Sequence, residues 1–162
     1  MVHVLETEQT VGASLDTVFE FFSRPENLAR LTPPRLRFAI LTPSPVPMRQ
    51  GAVIDYRLSL GPWPVRWRSL ISTYEPPHTF VDEQILGPYD FWHHTHRFVE
   101  TAAGTLISDR VVYRLPYGLL GELAHRLAVR RQLEGIFAHR RRVVERQFGL
   151  SLIRPTESAG EG

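Results

Sequence analysis

The sequence predicts an α+β fold: a curved antiparallel sheet of about seven strands wrapped around one long C-terminal helix, with two short helices after the first strand. Three observations carry this. Turn signals recur at short, regular spacing through the middle of the chain. The apolar period changes from two to 3.6 after Pro116. The length, 162 residues at 43% hydrophobic, suits one domain and is short for two.

Residues 2–11 carry Val4, Leu5 and Val11 among polar neighbours, an edge-strand pattern. Ser14 can cap a short helix bearing Leu15, Val18, Phe19 and Phe22. Ser23 and Glu26 have capping-box spacing for a second short helix, which Pro33-Pro34 stops. Leu36, Phe38 and Ile40 alternate with other residues and predict a strand. The proline-rich stretch 42–51 must be a loop, read either as a cover over a pocket mouth or as a stiff connector. Turn signals follow at Gly61-Pro62-Trp63-Pro64, Glu75-Pro76-Pro77-His78, Gly87-Pro88 and Thr101-Ala102-Ala103-Gly104. Beyond Pro116, Leu119, Leu123, Leu127, Leu133, Phe137, Val144 and Phe148 follow helical spacing, with Val129 near the missing step, and Gly149 ends the run. This makes 1–149 one domain and 150–162 a mobile tail.

Turn length sets register, and register decides which side chains share a face. A four-residue turn at 61–64 sets Leu58 opposite Trp67, Tyr56 opposite Ser69 and Ile54 opposite Ile71. The turn at 75–78 places Phe80, Asp82 and Gln84 beside Thr73, Ile71 and Ser69. A three-residue turn at 87–89 opposes Asp82 to His94 and Phe80 to His96; a two-residue turn would put Glu83 inside instead. The last turn opposes His96 to Asp109, His94 to Val111 and Trp92 to Tyr113. One face of the sheet is then mostly apolar, yet Asp82, Gln84, His94, His96 and Asp109 are embedded in it. Each polar group buried without a partner costs about 1–3 kcal/mol, so these residues either satisfy one another or line a cavity.

The element order and motifs are similar to those of the START-related helix-grip (SRPBCC) superfamily, in its small bacterial polyketide cyclase/dehydrase-like ligand-binding branch. The resemblance spans 2–149 and rests on V-F-E-F-F-S-R-P-E-N-L, W-R-S-L-I at 67–71, D-E-Q-I-L-G-P-Y at 82–89, W-H-H-T-H-R-F at 92–98 and G-T-L-I-S-D-R-V-V-Y-R-L-P at 104–116. It implies a hydrophobic pocket between sheet and C-terminal helix that takes a lipid, a polyketide or a similar molecule. It supplies no shared catalytic motif.

The expected ligand-binding residues are Tyr56, Trp67, Ser69, Ile71, Phe80, Asp82, Gln84, Trp92, His94, His96, Asp109, Tyr113, Leu123 and Leu127. His94 and His96 form an H-x-H on one strand, which aims both imidazoles at one face. With Asp82 or Asp109 they have the composition of a two-histidine, one-carboxylate metal site. Antiparallel pairing instead spends each carboxylate on one imidazole, giving the couples His94–Asp82 and His96–Asp109, and neither a metal nor another cofactor is expected. The same couples suit general acid–base chemistry of a cofactor-free cyclase/dehydrase type, with Tyr113 or Gln84 holding an enolate oxygen. Ser69 and Thr73 face inward with no histidine partner, which disfavours a hydrolytic triad.

The 19 basic residues are all arginine, net charge is +2 and cysteine is absent, which excludes disulfides, thiolate nucleophiles and zinc fingers. Residues 119–148 hold 7 Arg against 3 Glu, while 1–118 hold 11 Arg against 12 acidic groups. The positive excess therefore belongs to the last helix. Arg130, Arg131, Arg140, Arg141, Arg142 and Arg146 are expected on its solvated back, where the first five could meet a peripheral membrane surface or, with the helix as a whole, a ribosome. Without interleaved exposed aromatics or a known motif, nucleic acid is not an expected partner. No apolar run approaches the ~20 residues of a membrane span. The N-terminus lacks a signal-peptide pattern, so a cytoplasmic location is expected.

Overall fold

The computed structural model describes residues 1–149; the expected tail over 150–162 lies outside them. The chain opens on β1 (Val2–Val11), followed by α1 (Leu15–Phe22), a short 3₁₀ turn (Pro25–Asn27), α2 (Leu28–Leu31) and a second 3₁₀ turn (Pro34–Leu36). The remaining strands are β2 (Ala39–Ile40), β3 (Val53–Leu60), β4 (Trp63–Glu75), β5 (Thr79–Leu86), β6 (Phe91–Thr101) and β7 (Gly104–Arg114). They form one antiparallel sheet of seven strands in the order β1-β7-β6-β5-β4-β3-β2. One continuous helix closes the fold: α3 (Gly118–Ala124), a π-helical stretch (His125–Val129) and α4 (Arg130–Phe148).

Two hairpin registers are as the turns predict. Across β5–β6, Asp82 opposes His94 and Phe80 opposes His96; across β6–β7, His96 opposes Asp109 and Trp92 opposes Tyr113. Gly104 lies at φ 121°, and a Cβ there would collide with the Val11 carbonyl, so this turn requires glycine.

Two registers differ. The β3–β4 turn contains two residues, with Leu60 opposite Trp63, and Gly61 at φ 62° occupies the first turn position that demands glycine. Leu58 therefore opposes Val65 and Tyr56 opposes Trp67; the slip is by two, so every side chain keeps its face. In β4–β5 the pairs Ser69–Gln84 and Ile71–Asp82 hold, but a bulge follows and sets Tyr74 against Phe80. Tyr74 then packs on Phe19 and the core, in place of Thr73.

The strand expected at Leu36–Ile40 shrinks to Ala39–Ile40, because Pro34 starts a 3₁₀ turn and Arg37 takes a left-handed conformation at φ 45°. Ser14 caps α1, accepting from the Thr17 backbone N–H at 3.4 Å. The Ser23–Glu26 box does not form. The Glu26 carboxylate instead accepts from the Ser44 hydroxyl at 2.8 Å and the Val46 N–H at 3.0 Å, which pins loop 42–51. Val46 is buried and Met48 packs on the core, so this loop is a fastened wall.

The last helix departs most from its periodicity. Leu133, Phe137 and Val144 are buried, but Leu119, Leu123 and Leu127 are 88%, 55% and 73% exposed. The π-helical stretch adds a residue to one turn and rotates everything before it by about 100°. A stripe continuous in sequence is thereby split between two directions.

Candidate functional site

A cavity of about 170 Å³ lies between the inner face of β3–β6 and α4. Tyr56, Trp67, Trp92, Phe80, Tyr89 and Phe137 supply aromatic walls, and Asp82, His94, His96 and Arg140 form its polar floor. The aromatic walls interlock: Trp67 stands edge-on to Trp92 at 5.2 Å and stacks on Tyr56 at 5.9 Å. Ser69 is buried, accepts from Trp67 Nε1 at 3.1 Å and shares a hydroxyl–hydroxyl hydrogen bond with Tyr56 at 3.3 Å; among the described residues no histidine bonds to it.

The floor is one tetrad where two separate couples were expected. His94 and His96 are 5% and 3% exposed, with ring centres 3.8 Å apart. His94 meets Asp109 through Nε2 at 3.1 Å and Asp82 through Nδ1 at 3.3 Å. His96 meets Asp82 through Nε2 at 2.9 Å and Asp109 through Nδ1 at 2.7 Å. Each imidazole touches both carboxylates, because inward side chains on β5, β6 and β7 converge where the sheet curves. Asp109 sits behind the histidines and faces an outer cleft between β1 and α4.

Arg140 completes the cluster from the helix. Its Nη2 lies 3.2 Å from His96 Nδ1 and 3.6 Å from Asp109, and its side chain is 11% exposed. This corrects its expected place on the solvated helix back. The signal was available: Arg140 follows Phe137 by three residues and precedes Val144 by four, on the buried stripe itself. Its guanidinium stands over the rings of Phe22 and Phe137 at 5.0 and 5.8 Å, and its buried Nε has no hydrogen-bond partner.

Electrostatics divide the histidines. Burial opposes ionisation of Asp82 and Asp109, but the histidines, and Arg140 beside Asp109, outweigh it and hold both carboxyls far below the usual range. Burial also opposes charging His94, yet the two carboxylates prevail and raise its pKa. His96 goes the other way: burial and the charge on His94 depress it despite the same carboxylates. His96 Nδ1 also faces incompatible demands. Asp109 at 2.7 Å calls for a proton there, whereas Arg140 calls for a lone pair. A proton on Nδ1 satisfies Asp109 and leaves Arg140 without an acceptor there, whereas a lone pair accepts from Arg140 and faces the Asp109 carboxylate.

Of the expected ligand residues, Tyr56, Trp67, Ser69, Ile71, Phe80, Asp82, Trp92, His94 and His96 stand on the cavity wall. Five do not. Gln84 turns back on its own hairpin, donating to the Tyr89 carbonyl at 2.6 Å and accepting from the Tyr89 N–H at 3.3 Å. The Tyr113 hydroxyl pairs with His125 at 2.8 Å, away from the floor. Neither is placed to hold an enolate oxygen. Asp109 lies behind the floor, and Leu123 and Leu127 point to solvent. Sequence reasoning missed Phe38, Tyr89, Ile136 and Arg140 on the wall. Phe38 follows the left-handed Arg37 outside the strand its alternation predicts, and Tyr89 lies in the turn between β5 and β6.

Asp82, His94 and His96 place one potential ligand atom each within 4.8 Å of one another, a spacing open to a metal ion. Those atoms are already engaged with one another, and Arg140 brings a fixed positive charge to the same place, which works against a second cation.

The family model described as polyketide cyclase / dehydrase and lipid transport matches residues 2–145. The chain belongs to this family. Among curated proteins no match is found. Solved structures share the helix-grip fold. A protein from Chromobacterium violaceum superposes with a TM-score of 0.70 at 10% identity, covering 90% of this chain and 97% of its own. A norcoclaurine synthase point mutant from Thalictrum flavum, in complex with a transition-state analogue, gives 0.63 at 18% identity, covering 91% and 96%. The di-domain ARO/CYC protein StfQ of the steffimycin biosynthetic pathway gives 0.66 at 18% identity, covering 90% of this chain and 50% of that one. A helix-grip protein of this family is a ligand-binding protein, and no helix among the described residues is long and apolar enough to cross a membrane.

Proposed function

We propose that the protein binds a small hydrophobic molecule of one or two rings, with a hydroxyl or carbonyl end seated on Asp82, His94 and His96. The observation that carries this reading is the charged tetrad at the floor of a cavity whose walls are aromatic. Size supports rings over long chains: 170 Å³ is only slightly more than the ~150 Å³ that accommodates benzene in an engineered apolar cavity.

A thermal-shift and native mass-spectrometry screen tests it, using phenols and cyclic ketones against long-chain fatty acids. A ligand at a hundredfold excess over its Kd stabilises by about 2.7 kcal/mol, several degrees in Tm for a domain this size. Stabilisation by ring compounds is expected. Stabilisation by fatty acids alone overturns the size argument.

A second reading is favoured by the opposed shifts of His94 and His96, since neighbouring groups with pKa values pushed apart suit an acid and a base. The similarity to norcoclaurine synthase and to an ARO/CYC protein supports it at the level of fold. In this reading His96 takes a proton from the bound molecule and His94 returns one, a cofactor-free cyclisation or dehydration. His94→Asn and His96→Asn then abolish turnover while affinity stays within a few fold. Loss of affinity without any turnover in the wild type leaves binding alone.

A further inference from the structure

Among the described residues one apolar face has no partner, and it is the part of the last helix that the π-helical stretch turns away from the core. Leu119, Leu120, Leu123 and Leu127 are 88%, 73%, 55% and 73% exposed, and Tyr117 beside them is exposed too. Steps of three and four join Leu120, Leu123 and Leu127, and a step of four joins Leu119 to Leu123, which puts them on one side of α3 and the π-helical stretch. The opposite side is fastened inward: Gly121 and His125 are buried, and His125 stacks on His3 at 3.5 Å.

The charge around this face is mainly positive. Arg126, Arg130 and Arg131 are exposed and continue the same spacing. Glu122 is turned away, engaged by the Met1 amino group at 3.0 Å and His3 at 3.1 Å. Glu134 pairs with Arg130 at 3.0 Å. Among the described residues, Arg126 and Arg131 have no ion-pair partner.

We infer that this face docks on an anionic lipid bilayer, with the leucines at the level of the acyl boundary and Arg126, Arg130 and Arg131 against the headgroups. Leucines rimmed by arginines are the composition of an interfacial helix. A second copy of the chain is the competing occupant, and charge decides against it. A second copy covers the leucines but its nearby carboxylates, Glu122 and Glu134, are already paired, whereas an anionic surface is complementary to the leucines and to Arg126 and Arg131 alike. On the inward side of this helix His125 bonds to Tyr113, which stands 5.8 Å from Tyr89 on the cavity wall, so three side chains separate the helix from the ligand space. The docking surface does not depend on which molecule that space holds.

Sedimentation of the full chain with vesicles of phosphatidylcholine, alone or with one-third phosphatidylglycerol, tests the inference. Binding to the phosphatidylglycerol vesicles at low salt, falling as salt is raised, is expected. Leu120→Glu with Leu127→Glu should weaken it at least tenfold, while the circular dichroism and Tm of the protein stay unchanged because both side chains are already in water. Arg126→Gln and Arg131→Gln should weaken it about fivefold each. The inference is overturned if the anionic vesicles leave the protein in the supernatant at low salt, or if binding ignores the leucine substitutions. It is equally overturned if analytical ultracentrifugation shows a dimer that these substitutions dissociate while no vesicle binds.

Discussion

The inner face of the sheet is solid at one end and hollow at the other. At the solid end, Phe19 and Phe22 from α1 meet Phe98, Phe80, Ile107 and Val144, with ring centres 5.2–6.1 Å apart and Val11 and Val18 fully buried around them. At the hollow end the same sheet presents Trp67, Trp92 and Tyr56 to α4, and among the described residues no element fills the space between. The tetrad sits at the boundary, with Phe80 stacked on His96 at 4.1 Å on the solid side and Phe137 edge-on to His94 on the other.

Substitutions at the two ends should therefore separate stability from binding. Phe98→Ala leaves a large void in a closed core and should cost about 3–5 kcal/mol by chemical denaturation. Asp109→Asn should cost a comparable amount, because it removes the carboxylate facing both histidines and Arg140 and strands buried positive charge. At the hollow end, Ile136→Trp grows into existing space. It should shift stability by less than about 1.5 kcal/mol, yet lower affinity for a ring compound by two orders of magnitude. A Phe98→Ala protein as stable as wild type would abolish the contrast. So would an Ile136→Trp protein that keeps full affinity.

The smallest expected effect is in pH dependence. The raised pKa of His94 contributes stability below its ordinary value of about 6.5, and that stability is lost as pH climbs through the folded value. The lowered pKa of His96 acts oppositely, so stability is lost as pH falls from about 6.5 towards its folded value. The depressed carboxyls of Asp82 and Asp109 add a further loss below about pH 4. Tm should peak near pH 6.5, and His96→Gln should flatten the limb between 6.5 and 4. A Tm that climbs steadily from pH 5 to 9 would contradict the division between the two histidines.

Much of this architecture is legible in the residues. The turns at 87–89 and 101–104 fix the opposition of Asp82, His94, His96 and Asp109. The slip at Gly61-Pro62 is harmless, because a shift by two preserves the alternation of faces. What resisted reading has physical causes. The two Asp–His couples become a tetrad because curvature brings neighbouring rows of side chains within reach, which register alone does not encode. The π-helical stretch splits the leucine stripe without altering the spacing of the letters. Arg140 was legible by position, but its charge argued for solvent; stacking on Phe22 and facing Asp109 let it stay inside.

The central claim is that the charged floor and the aromatic walls receive one molecule together. Nitrogen-detected NMR of histidine-labelled protein, titrated with a ring-sized phenol, tests it most directly. The His94 and His96 ring resonances should move in step with saturation, and Ile136→Trp should suppress the change. Saturable binding that leaves both histidines unmoved would contradict it.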